Sequence, residues 1–161
     1  MKKLLIVSLA VLAVAACGGG KADVQSAHTL PLITGGAWDF QAQAAQKPVF
    51  IAFMAGYCGF CKRMAPPLDK LAGDYKDKNV DIVFAYFDED LNTPKNIAKD
   101  LGLKNALIAY NAEGLGGAMG VEAFPQMFLV DMTTQSAKSW TGYSEEAPAQ
   151  IAKEIDALLA K

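Results

Sequence analysis

The sequence predicts an α/β fold, and three successive stretches carry that prediction. PVFIAFM (48–54) is a continuous apolar run with valine, isoleucine and phenylalanine, the pattern of a strand buried on both faces. After it, Leu68, Leu71, Ala72 and Tyr75 recur at helical spacing while Asp69, Lys70, Asp74 and Lys76 fall elsewhere, so one helix face meets the sheet and the other meets water. VDIVFAYFDED (80–90) then reads as the next central strand.

The chain has 161 residues, 52% of them apolar, which is enough for one globular domain with a real core. Its net charge of -2 and its scattered lysines supply no basic stripe, which excludes a nucleic acid partner.

Residues 1–16 are read as lying outside that domain. Lys2 and Lys3 precede an apolar run (4–14) that is too short to span a bilayer and suits a secretory signal peptide. The run ends in Val14-Ala15-Ala16-Cys17, which resembles the lipobox of bacterial lipoproteins. That resemblance implies acylation of Cys17 after cleavage, with several chains at about 0.8 kcal/mol per buried methylene anchoring the protein to a membrane. The expected location is the periplasmic side of a bacterial membrane, with Gly18 favouring the outer one. GGGKADVQSAH (18–28) has no period and little apolar content, so 17–28 reads as a flexible tether with a reach of roughly 18 Å. His28, the only histidine, is read as a solvated residue at the end of that tether. The domain proper is expected over 29–161.

MAGYCGFCKRMAPP (54–67) holds the residues that carry chemistry. With Cys17 assigned to lipid, Cys58 and Cys61 have only each other. As a staple, a loop of about four residues is worth roughly 2 kcal/mol, against nearly 5 for a loop of about a hundred. A zinc site needs four ligands and there is no second CxxC, so no metal is expected. Covalent haem attachment needs a histidine where Lys62 stands. Redox chemistry remains, and the oxidising compartment implied by the signal peptide allows it.

The pair falls at the start of the helix. There, unpaired N–H groups and the positive end of the dipole stabilise a thiolate and lower its pKa, so Cys58 is read as the nucleophile. Cys61, one turn deeper, is read as the thiol that attacks the mixed disulfide and releases the partner. Lys62 and Arg63 either add positive potential or form the solvated helix face. Pro66 and Pro67 each remove a backbone donor and are expected to interrupt the helix early and kink it.

A strand, a CxxC at a helix start, a lysine after the second cysteine and Pro66 in the following helix together resemble the thioredoxin superfamily. The resemblance covers about 29–161. FPQMFLVD (124–131) resembles the strand that opens with the family's cis-proline, and SAKSWTG (136–142) is a plausible hairpin partner. Ile151, Ile155, Leu158 and Leu159 mark an amphipathic terminal helix. The resemblance implies a thioredoxin-like fold, a central mixed β-sheet flanked by helices. It implies too that Phe124-Pro125 is cis, bringing this loop against the CxxC and offering the backbone of Phe124 to an extended substrate.

Between the second central strand and Pro125, residues 94–101 look helical and ALIAY (106–110) is a short apolar run ahead of GLGGAMGV (114–121). A helix and strand inserted before the cis-proline strand are similar to the TlpA and ResA group of membrane-tethered periplasmic thiol–disulfide reductases. The upstream LPLITGGAWDF (30–40), a hairpin around Gly35-Gly36, is also like that group. This resemblance implies a protein disulfide oxidoreductase, a reductase first, exchanging two electrons between Cys58-Cys61 and cysteines of extracytoplasmic proteins. It implies an upstream redox partner and no cofactor.

Departures from the family pattern keep alternatives open. Ala52 stands where thioredoxins carry a buried aspartate, Tyr57 replaces the usual tryptophan, and Gly59-Phe60 resembles periplasmic disulfide isomerases. A disulfide oxidase or isomerase, or a non-catalytic binding or assembly module, is the alternative reading. Glu122 is a candidate proton carrier or substrate-surface charge near the thiols, or else an ordinary exposed glutamate. Ala55 stands where peroxiredoxins need a threonine, which argues against peroxide reduction.

Overall fold

The computed structural model describes residues 28–161. The expected signal peptide (1–16), Cys17 and the tether ahead of His28 lie outside the described residues. Among the described residues no helix is long and apolar enough to cross a membrane.

The fold begins with a two-stranded antiparallel hairpin, β1 (Thr29–Pro31) and β2 (Ala37–Asp39). Its turn needs glycine, because Gly35 and Gly36 adopt φ of 92° and 78°, which L side chains rarely enter. Asp39 then caps α1 (Phe40–Ala44), accepting the Ala42 amide at 2.7 Å and the Thr29 hydroxyl at 2.6 Å. The Thr29 hydroxyl foremost, then the Ala42 amide, hold its carboxyl below the usual range. His28, expected as a solvated tether residue, is half-buried, and its carbonyl accepts the Phe40 amide at 2.8 Å.

β3 (Val49–Met54) buries all six side chains, as its unbroken apolar run requires. It leads into α2 (Gly59–Tyr75), β4 (Asp81–Tyr86), α3 (Asn92–Leu101), β5 (Leu107–Ala109) and α4 (Glu113–Ala118). β6 (Gln126–Asp131), β7 (Ser136–Thr141) and α5 (Ala147–Leu159) complete the chain. The five-stranded sheet has the order β5-β4-β3-β6-β7. β3 runs parallel to β4 and antiparallel to β6, so the sheet is mixed. The inserted helix and strand are α3 and β5, and β5 extends the sheet parallel to β4.

The alternation of β3 divides the core in two. Phe50, Ala52 and Met54 face one cluster with Cys61, Met64 and Leu68 of α2 and Ile151 and Ile155 of α5. Val49, Ile51 and Phe53 face the other, with Trp38 of the hairpin and Leu115 of α4. The hairpin is pinned by Asp81, which accepts the Trp38 indole N–H at 2.9 Å and pairs with Lys47 at 2.6 Å.

Two expectations for α2 are corrected. The helix runs unbroken through Pro66 and Pro67. Both prolines lie on its exposed side, so water can meet the carbonyls of Lys62 and Arg63 that lose their donors. Asp69, expected on the watered face, is 6% exposed. Its carboxylate accepts the amides of Lys104 (3.0 Å), Asn105 (2.9 Å) and Ala106 (2.9 Å) and the Asn105 side-chain amide (3.0 Å). The loop into β5 folds over the helix and supplies those donors, so the charge is buried with its hydrogen bonds made.

Candidate active site

Cys58 is the N-cap of α2, with extended φ and ψ of -80° and 107°. Its sulfur accepts the Cys61 amide at 3.1 Å, one of the helix-start donors that lack an intrahelical partner. Cys58 and Cys61 are joined as a disulfide with Cα atoms 5.2 Å apart. Cys58 is 9% exposed and Cys61 1%, so the first cysteine is the more accessible residue of the two. Such a pair can take up two electrons and become two thiols, or give them up and close again.

The turn ahead of Cys58 is built from backbone bonds and one carboxylate. The Cys58 amide donates to the Ala55 carbonyl at 3.0 Å, and the Gly56 amide donates to the Asp88 carboxylate at 2.7 Å. Asp88 follows β4, so the ends of the two central strands hold the turn between them. Ala52 is fully buried in the cluster that contains Cys61, and apolar Met64 and Met127 belong to the same cluster.

The Phe124-Pro125 peptide bond is cis, and Pro125 is buried. Its carbonyl accepts the Gly142 amide at 2.8 Å, tying the loop to the end of β7. The Phe124 ring meets Tyr57 edge-on at 6.4 Å, which joins this loop to the segment carrying Cys58. Behind it, Phe87 packs against Phe124 at 4.7 Å and against Phe53 at 6.0 Å. A Cβ on Gly116 would overlap the Phe87 ring, so the glycine of α4 makes room for that ring.

An aromatic residue precedes each cysteine of the disulfide, Tyr57 at 82% and Phe60 at 52% exposure. The Phe60 ring stacks on Tyr143, and the Arg63 guanidinium lies over both rings. Lys62 is exposed beside them. Glu122 is exposed, and its backbone amide donates to the Gln126 side chain at 3.0 Å. Among the described residues no group of three His, Cys, Asp or Glu side chains is placed to hold a metal ion. Sequence reasoning missed Gly56, Asp88, Phe87, Gly116 and Tyr143. The glycines were its only local signal, since a glycine can mark a close approach.

The thioredoxin family's sequence pattern matches residues 30–106. The chain is 32% identical over 85 residues to the thiol-disulfide oxidoreductase ResA of Bacillus thuringiensis, covering 53% of this chain and 49% of ResA. It thus spans about half the length of that relative. It is also 32% identical over 63 residues to the thioredoxin of Thiocapsa roseopersicina, covering 39% of this chain and 68% of that protein. The chain belongs to the thioredoxin family. A solved structure of a secreted Mycobacterium tuberculosis disulfide oxidoreductase shares the thioredoxin-like fold, with a TM-score of 0.68 at 19% identity over 81% of this chain and 95% of that one. In this thioredoxin-family chain the disulfide lies within the matched region and the cis-proline loop lies beyond it.

Proposed function

We propose that this chain is a thiol–disulfide oxidoreductase working outside the cytoplasm, with Cys58 and Cys61 as its catalytic pair and a protein as its substrate. The Cys58–Cys61 disulfide at the N-terminus of α2, beside the cis Phe124-Pro125 loop, carries this reading. The names of its relatives support it, as does the order of charge, apolar run and Cys17 at the N-terminus. Residues 1–16 act as the signal peptide and the stretch from Cys17 up to His28 as the tether of the domain, with lipid on Cys17 holding it to the periplasmic face of a membrane, the outer one first.

In the reducing direction, the Cys58 thiolate attacks one sulfur of a partner disulfide. A bond forms between Cys58 and that sulfur, the partner's S–S bond breaks, and the released partner thiolate takes a proton from water. Cys61 then loses its proton to water and attacks the Cys58 sulfur. The internal disulfide closes, the second partner thiolate leaves and is protonated, and two electrons have passed to the partner. A dithiol on an upstream redox partner restores the pair by the reverse exchange. The cis-proline loop offers the backbone of Phe124 as an edge for an extended substrate, with Pro125 fixing its turn, and Lys62 and Glu122 supply charge around it.

The decisive experiment uses cysteine variants. Cys61→Ser, reduced and exposed to an oxidised periplasmic extract, accumulates a covalent complex that dithiothreitol dissolves, whereas Cys58→Ser accumulates little. Equal trapping by both overturns the division of roles, and no trapping by either overturns the oxidoreductase reading. Mass spectrometry of the mature protein reads the anchor directly, since an unmodified N-terminus away from Cys17 refutes lipidation.

A further inference from the structure

We propose that Arg63, held on the rings of Phe60 and Tyr143, recognises a carboxylate beside the target cysteine of the protein substrate, so that acidic disulfide segments are the preferred class. The proposal rests on the oxidoreductase reading and adds a substrate preference to it.

Three observations converge on Arg63. Its guanidinium lies 4.6 Å from the Phe60 ring centroid and 4.9 Å from that of Tyr143. The two rings are stacked, 6.3 Å apart and inclined by 27°. No carboxylate among the described residues forms an ion pair with it. Neither Glu145 nor Glu146, the acids that follow Tyr143, pairs with it, and Glu146 takes the Ser144 hydroxyl, which holds its carboxyl below the usual range. Lys62, the next cation along, has no ion pair among the described residues either.

The geometry explains why this cation suits recognition. Phe60 and Arg63 are three residues apart on α2 and therefore share a helix face. Phe60 is the residue just before Cys61, so the cluster borders the disulfide. Tyr143 follows Gly142, whose amide is bonded to the Pro125 carbonyl, so the cluster is also tied to the cis-proline loop. Ring faces attract the flat guanidinium and limit its motion. A carboxylate then finds a two-pronged donor already oriented, which lowers the ordering cost of binding. The same cation offsets repulsion between that carboxylate and the attacking thiolate, and the exposed Phe60 ring covers the apolar stem of the acidic side chain.

The test measures the rate at which the reduced protein opens three synthetic peptide disulfides that differ only in carrying Glu, Gln or Lys beside the cysteine. The wild type is expected to rank them Glu, Gln, Lys, with Glu faster than Gln by about tenfold, the scale of one charge-assisted hydrogen bond. That ratio shrinks as salt rises. Arg63→Gln brings the Glu-to-Gln ratio close to one, and Arg63→Lys restores part of it, because an ammonium keeps the charge without the fork. Equal wild-type rates on all three peptides overturn the proposal, as does an Arg63→Gln variant that keeps the full Glu preference. Failure to open any of the three overturns the oxidoreductase reading with it.

Discussion

The Gly56 amide donates to the Asp88 carboxylate at 2.7 Å, and this one bond fastens the turn before Cys58 to the segment leaving β4. The bond is short because the turn carries no side chain there. A Cβ on Gly56 would overlap the Thr93 methyl and stand 2.8 Å from an Asp88 oxygen.

Gly56→Ala must therefore displace Thr93, Asp88 or the turn itself. The expected cost is about 1–3 kcal/mol of stability, typical of overpacking, read as a lower urea midpoint at unchanged slope. Thr93→Gly removes the methyl in question and should recover part of the loss in the double variant. Identical losses with and without Thr93 would refute the steric origin.

Asp69 is the buried acceptor for the loop into β5, so its removal leaves several donors stranded together. Asp69→Ala is expected to cost about 3 kcal/mol, and Asp69→Asn about half as much, because the amide retains one oxygen. Denaturant unfolding of both variants checks this. A loss under about 1 kcal/mol in Asp69→Ala would mean that water replaces the carboxylate.

Asp131, 2% exposed, starts the turn between β6 and β7. Burial disfavours its charged form, but the hydroxyls and amides of Thr133 and Thr134 outweigh this and leave its pKa below the ordinary 3.8. The folded state therefore binds fewer protons than the unfolded one in the window between the two pKa values. Its contribution is full above about pH 4 to 5 and is lost as pH falls through the depressed folded value. In Asp131→Asn the acid limb of the stability profile should be shallower, so wild type and variant converge below about pH 4. Parallel profiles down to pH of about 2 would contradict the assignment.

What could be read along the chain was set by local rules. β3 was legible because six consecutive apolar residues suit a strand with both faces covered. α2 was legible from its periodicity, and α3, β5 and α5 from short patterns of the same kind. α1 and α4 were missed. They have five and six residues, too few for a period to emerge, and α4 contains three glycines that argue locally against a helix. Asp69 misled for the same reason, because periodicity reports where a side chain points on its own helix and not what later folds over it.

The sequence by itself determined the succession β3, α2, β4, α3, β5, β6, β7 and α5, the strand-to-helix junction that carries CxxC, and the cysteine that stands at the helix start. These depend on hydrophobic period, backbone capping and the spacing of neighbours, all encoded within a few turns of chain. Tertiary structure alone decided that Asp88 would hold Gly56, that Phe87 would fill the space left by Gly116 and support Phe124, and that Tyr143 would stack on Phe60 under Arg63. Each of those contacts joins segments far apart along the chain, Gly56 and Asp88 for example at a separation of 32 residues. They exist only once β3 has taken β4 on one side and β6 on the other, because closing the sheet is what brings distant loops to the same end of neighbouring strands.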